Sequence, residues 1–207
     1  MNSDVYKIAL ISTHATGKSV LSVDVSAALG KRGLTSIALG EFSTQAKKTG
    51  LTINEETTLA AQLWILHQQF SQEIDYSENQ IIRHDILVCD RGGPDNYCYI
   101  RYNLGDNQYA LDMVLGHMKL YPYSRFYLLP IVNQDGEIPV GTGARSRDKI
   151  KRAEVFGVIG GFLEEYDIDH IKLPIPQEND HYREEWTRII VNQTLKDLGE
   201  PEHLYMK

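Results

Sequence analysis

The sequence predicts an α/β fold in which a parallel β-sheet is covered by helices on both faces. Short, nearly continuous apolar runs alternate along the chain with longer stretches whose apolar residues recur at helical spacing. Strands that are apolar on both faces belong to parallel sheets buried under helices. The first such run leads directly into the octapeptide Ser12-Thr13-His14-Ala15-Thr16-Gly17-Lys18-Ser19, which in turn opens a helical pattern. The 207 residues, 42% of them hydrophobic, are enough for one sizeable core, so one domain over 1–207 is expected.

Taken in order, residues 5–11 (VYKIALI) form the first strand. In the helix that follows, Val20, Leu21, Val25, Ala28 and Leu29 share a face, and Gly30 and Gly33 end it. Residues 35–40 (TSIALG) read as strand two, and about 55–82 as a long helix with Leu59, Leu63, Leu66, Phe70 and Ile74 on one stripe. Strands three, four and five are expected at 85–90 (DILVCD), 124–130 (SRFYLLP) and 168–174 (IDHIKLP). Helical material rich in tyrosine and methionine separates strands three and four, a helix is expected over about 147–165, and the closing helix ends at Gly199. There is no internal repeat.

Gly17-Lys18-Ser19 is the ending of a phosphate-binding P-loop. In such a loop backbone N–H groups wrap the phosphates, the lysine reaches the terminal phosphates, and the last hydroxyl binds magnesium. Residues Ser12 to Val20 are therefore the candidate nucleotide-binding segment, with Lys18 as phosphate lysine and Ser19 as metal ligand. The pattern departs at Ser12, where glycine is usual. A small residue there is expected to adopt the turn at a cost of order 1 kcal/mol. The preceding strand and following helix supply the context in which the motif is meaningful.

The other strand ends add chemistry to the same edge. Strand three ends at Asp90, placed to bind magnesium, and Arg91 offers planar paired donors to a phosphoryl group. Asp95 either caps the next helix or touches substrate. Glu41 follows strand two and can accept a hydrogen bond or proton from a substrate hydroxyl. After strand four comes a glycine-rich and then basic segment, about 133–152, in which Arg145 and Arg147 suit a mobile lid closing over phosphates. Lys149, Lys151 and Arg152 read instead as a solvated helix start. Tyr97, Tyr99, Tyr102 and Trp64 either stack on a planar acceptor or pack helices.

Bulk properties exclude other classes. With 28 acidic and 21 basic residues, the net charge of −7 argues against a protein that wraps duplex nucleic acid. No window approaches a membrane span, and the N-terminus has no signal-type pattern, so a cytoplasmic location is expected. Cys89 and Cys98 cannot build a disulfide framework, and the histidines show no ligand spacing.

The segments ISTHATGKSVL, GEF, DILVCDRGGPDNYCY and GTGARSRDKIKR together resemble the P-loop kinases. That group includes thymidylate kinases, deoxynucleoside kinases and, nearest in overall pattern, ribosylnicotinamide-kinase-like ATPase domains of the AAA type. The resemblance covers nearly the whole chain. It implies a three-layer P-loop NTPase fold with sheet order 2-3-1-4-5, ATP with Mg2+, and an acceptor between the long helix and the Asp-Arg edge. It also implies Glu41 as general base, Asp90 and Arg91 at magnesium and an acceptor phosphate, and Gln62 or Gln68 as reader of a base.

Transfer of the ATP γ-phosphoryl group to a nucleoside, nucleotide or related small molecule is the leading expectation. Lys18, Glu41, Asp90, Arg91, Arg145 and Arg147 would act as catalytic residues. The alternatives are an ATP-hydrolysing switch, a kinase of nucleic-acid ends, and a binder without catalysis. No N-K-x-D guanine-reading segment is present. Oligomeric state is not encoded in any pattern recognised in the sequence.

Overall fold

Alternation along the first strand, β1 (Tyr6–Ile11), decides how the helices are distributed. Ile8 and Leu10 point to one face and Lys7, Ala9 and Ile11 to the other, and all five are buried. The structure, a computed structural model, describes residues 5–53, 56–79, 81–132, 149–176 and 181–200. In it β1 pairs in parallel with β3 (Ile86–Asp90) on one side and β4 (Arg125–Leu128) on the other. β2 (Ser36–Leu39) lies outside β3, and β5 (Ile171–Lys172) outside β4, so the order is 2-3-1-4-5 as expected.

Against the Ile8 and Leu10 face pack Leu21, Val25 and Leu29 of α1 (Lys18–Gly30) and Trp186, Ile190, Val191 and Leu195 of the closing helix α7 (Tyr182–Asp197). The Trp186 indole N–H donates to the Pro174 carbonyl at 3.0 Å, tying α7 to the chain just after β5. The opposite face is covered by α3 (Leu59–Glu78), α4 (Gly93–Leu104), α5 (Gln108–Leu120) and α6 (Lys149–Glu165). Leu66, Phe70, Tyr97, Ile100, Val114, Val155, Ile159 and Phe162 form its core with Ala9 and Ile11. A short α2 (Ser43–Lys48), not anticipated from the sequence, packs Ala46 near Ile65 of α3.

Several expectations need correction. The long helix is shorter than 55–82: the Thr58 hydroxyl caps it by accepting from Ala61 N–H at 3.2 Å, and beyond it the Asn79 side chain accepts from the N–H groups of Ile81 and Ile82. Its buried stripe is not the apolar one alone, because Gln62, Gln69 and Glu73 are buried while Ile74 is 38% exposed. Strand five spans two residues, and Val20, expected on the packed face of α1, is 46% exposed. The material between β3 and β4 is two helices, interrupted at Gly105 (φ 84°) and restarted by Asn107, whose side chain accepts from Ala110 N–H. Among the described residues no helix is long and apolar enough to cross a membrane.

Candidate functional site

Parallel pairing brings the carboxyl ends of β1, β2, β3 and β4 to one edge, and β1, flanked on both sides, delivers its loop to the place where connections diverge to either side. Ser12 is fully buried there, and its hydroxyl donates to the Leu129 carbonyl at 2.8 Å, fastening the start of the loop to the end of β4. The strain expected at Ser12 lies elsewhere. The left-handed positions are Ala15 (φ 55°) and Gly17 (φ 85°), and a non-glycine residue in that region costs about 1–2 kcal/mol. A serine therefore fits the first position without backbone strain. Gly17 is required for its conformation, since a Cβ there would meet nothing nearer than the Tyr182 hydroxyl at 3.9 Å.

The helix α1 starts at Lys18, so its unsatisfied amide groups face the loop. Lys18 is buried and folded back: Nζ donates to the carbonyls of Ser12 (2.9 Å) and Thr13 (2.5 Å), with Thr16 Oγ1 at 3.3 Å. Burial, then the nearby Arg91 cation, push its amine down to about 7, against the pull of Asp90, Asp95 and Glu41. Asp90 is 2% exposed. Burial raises its carboxyl, while Lys18 and a hydrogen bond with the Ser19 side chain work in the other direction. Ser19 and Asp90, some seventy positions apart in the chain, thus meet across the loop.

Arg91 holds φ 94°, a conformation that costs a side-chain-bearing residue about 1–3 kcal/mol. Its guanidinium is buried, with Nη2 3.4 Å from Glu41 Oε1 and Nη1 3.7 Å from Asp95 Oδ2, and lies 4.7 Å over the Tyr99 ring. Ser43 donates a hydrogen bond to the same Glu41 oxygen. Asp95 caps α4: its Oδ1 accepts from Gly92 N–H at 2.7 Å, and burial pushes its carboxyl up to about 6 despite Arg91 and Lys18. The capping alternative therefore describes Asp95, with an ion pair to Arg91 added.

His14 is 7% exposed, with Nδ1 3.4 Å from Thr13 Oγ1 and 3.5 Å from the Tyr99 hydroxyl. Burial, followed by the cations of Arg91, Lys18, Arg152 and Lys151, lowers its imidazole to about 4. The folded state therefore prefers neutral His14, and its stabilisation relative to a non-titrating side chain is complete above pH 6.5 and is lost as pH falls toward 4. Wild type is expected to lose about 2 kcal/mol relative to His14→Gln between pH 7 and 5. Urea titrations of both proteins across that range measure the difference, and parallel curves would refute the environment assigned to His14.

The basic segment behaves differently from its sequence reading. Arg145 and Arg147 lie outside the described residues. Lys151 and Arg152, expected to be solvated, are 7% and 3% exposed. Arg152 Nη2 donates to the carbonyls of Ala15 (2.9 Å) and Val132 (3.2 Å), clamping α6 to the loop, and Lys151 Nζ donates to Asn103 Oδ1 at 2.9 Å. Lys149 is exposed, as expected. The first turn of a helix and a run of cations were visible in sequence, but nothing local told which of them point inward. Of the aromatic residues, Tyr97 packs on Phe162 in the core, Trp64 joins the packing around Phe42 and Ile65, and Tyr99 reaches the site. Gln62 is buried and donates to Thr57 Oγ1 at 2.9 Å. Cys89 and Cys98 are buried thiols, raised by burial.

His14, Ala15, Thr16, Gly17, Lys18, Ser19, Glu41, Asp90 and Arg91 line a cavity of only about 10 Å³. Buried polar atoms without a hydrogen-bond partner lie around it: His14 Nε2, Asp90 Oδ2 and Arg152 Nε, together with Arg91 Nη1 and Asp95 Oδ2, which face each other as an ion pair at 3.7 Å. Native cores leave few such atoms, so several gathered at one loop make it the candidate ligand site. Fold and loop together define a P-loop protein with the kinase-like five-stranded sheet. A family model described as AAA domain matches residues 7–181, and the chain belongs to that family. Among solved structures, the NadR protein in complex with NR superposes with a TM-score of 0.74 at 12% identity, over 99% of this chain and 54% of that one. The NadR protein in complex with NAD and AMP-PNP gives 0.68 at 10% identity, over 100% and 53%. Deoxyadenosine kinase from M. mycoides, with the products dCMP and dCDP bound, gives 0.53 at 16% identity, over 92% and 99%. The chain thus spans about half the length of the NadR proteins it matches. No curated protein sequence matches it.

Proposed function

We propose that the protein is an ATP- and magnesium-dependent kinase that transfers the γ-phosphoryl group to a nucleoside, a nucleotide or a related small molecule. The observation that carries this reading is the group of buried polar atoms without a hydrogen-bond partner around the loop, Asp90 Oδ2, His14 Nε2 and Arg152 Nε, carboxylate and cation together, as phosphate and metal ligation require. The similar folds hold ligands of the same chemistry: NR, NAD with AMP-PNP, and deoxynucleotide products.

On this reading Lys18 leaves the Ser12 and Thr13 carbonyls to meet the terminal phosphates, and the amides at the start of α1 take the remaining phosphate oxygens. The residues present fit a divalent cation, since the Ser19 side chain bonds Asp90 and the Asp90 Oδ2 has no hydrogen-bond partner. Such an ion neutralises charge on the transferring phosphates when bound. Glu41 accepts the hydrogen bond of an acceptor hydroxyl, and Arg91 and Arg152 supply positive charge on the acceptor side of the loop. The whole chain, 1–207, acts as one domain, with the segment about 133–152, including Arg145 and Arg147, as the lid.

A panel of nucleosides, nucleotides, ribosylated bases and oligonucleotide ends, incubated with ATP labelled in its γ-phosphate, tests the assignment. Label is expected on one small-molecule class, with transfer abolished when EDTA removes the metal. Phosphate release independent of any acceptor would instead establish a hydrolytic switch, and label on oligonucleotide ends an end kinase; either overturns the assignment.

A further inference from the structure

Glu73 is completely buried on α3 and faces the sheet. Its two oxygens have different partners. Oε2 accepts from Lys7 Nζ at 2.7 Å and lies 2.9 Å from His117 Nε2, so charge is compensated on that side. Oε1 accepts from Gln69 Nε2 at 2.7 Å and from the Tyr123 hydroxyl at 2.6 Å. Both of these reach onward to one turn. Gln69 Nε2 also donates to the Arg91 carbonyl (3.3 Å), and the Tyr123 oxygen accepts from the Gly93 N–H (3.1 Å).

That turn, from the end of β3 into α4, is the one that aims Arg91 at the loop. Its left-handed Arg91 has its N–H on the Leu10 carbonyl at 3.2 Å, and Gly92 N–H donates to Asp95. It is also closely packed: a Cβ on Gly92 would lie 3.3 Å from Ala9 Cβ, and one on Gly93 3.2 Å from both Phe70 and Val114. A strained backbone persists only when its surroundings over-determine it. Burying an ion pair here is not needed for packing, since apolar residues of similar volume are commonly as stable or more so. Glutamate is the side chain suited to the place, because an amide would present donors to groups that are themselves donors.

We infer that Glu73 is a positioning residue for the candidate site: through Gln69 and Tyr123 it holds the Arg91–Gly93 backbone, and thereby sets where the Arg91 guanidinium lies against the P-loop. The kinetic part of this inference rests on the kinase reading, and the backbone part does not. Gln69→Leu and Tyr123→Phe cut the two arms. His117→Phe removes a partner on the other oxygen and keeps a ring stacked on Phe70, with which His117 now stacks at 3.9 Å.

By amide hydrogen exchange and NMR, Tyr123→Phe is expected to speed exchange of the Gly93 amide roughly tenfold. Gln69→Leu is expected to shift the Gly92 amide resonance, which belongs to the peptide whose carbonyl it releases, whereas His117→Phe lowers the melting temperature without either change. With the acceptor identified by the panel, both arm variants lower kcat roughly 10- to 100-fold while the KM for ATP is unchanged. If all three variants change only the melting temperature, with the Gly92 and Gly93 amides as in wild type, the network is core structure and the inference falls. If the panel yields no acceptor, the kinase reading fails and the amide measurements still decide the positioning role.

Discussion

Lys18→Ala is expected to lower phosphoryl-transfer turnover roughly 10²- to 10³-fold, the loss typical of removing one preorganised charge-stabilising donor. Lys18 is buried with its amine on two loop carbonyls and pushed down to about 7 by burial and Arg91. A phosphate entering the loop replaces those carbonyls and stabilises the ammonium. Nucleotide affinity of the wild type should therefore fall as pH rises above 7, where the ligand-free amine gives up its proton and binding must restore it. In the alanine variant that slope should flatten. Turnover with labelled ATP and nucleotide titrations at several pH values measure both effects, with circular dichroism confirming the fold. Undiminished turnover would remove Lys18 from the chemistry.

Lys7→Met is expected to destabilise the fold by about 3–5 kcal/mol, the cost of deleting one partner of a buried ion pair. The change keeps most of the volume of a side chain that is 2% exposed, so the loss measures charge rather than packing. Burial works against ionised Glu73, yet hydrogen bonds from His117, Gln69 and Lys7 and the Lys7 charge outweigh it and hold the carboxyl below its ordinary 4.5. A depressed carboxyl contributes stability that is present above that value and lost as pH falls through the folded one. The penalty of Lys7→Met should thus be full at neutral pH and shrink in acid. Equilibrium urea unfolding measures it, and a variant as stable as wild type at pH 7 would show that the pair contributes nothing.

Much of the architecture was legible before the structure. β1, β3 and the α1 helix follow from periodicity, and the loop from a motif whose parts lie within eight positions. Asp90 and Glu41 could be placed at the loop because strand ends in a parallel sheet share one edge. What escaped notice depends on partners far away in the chain. Lys7 lies within the apolar run of strand one and Glu73 within the long helix, and neither carries a local sign of the other. Arg152 looked solvated because the carbonyl it binds, on Ala15, lies 137 positions earlier. Ser12 looked like a strained substitute for glycine, yet the left-handed positions of the loop are Ala15 and Gly17.

By itself the sequence determined the parallel α/β class, the order of the strands, and the loop that is the candidate phosphate site, because these depend on short-range pattern and side-chain chemistry. Only the tertiary structure decided which charges are buried and what they face: Lys18 folded over its own loop, Arg91 between Glu41 and Asp95, and Glu73 braced against the turn that carries Arg91. Burial and pairing depend on where the chain returns in space, and the energies that settle them, desolvation against hydrogen bonding and charge, have no counterpart in local sequence.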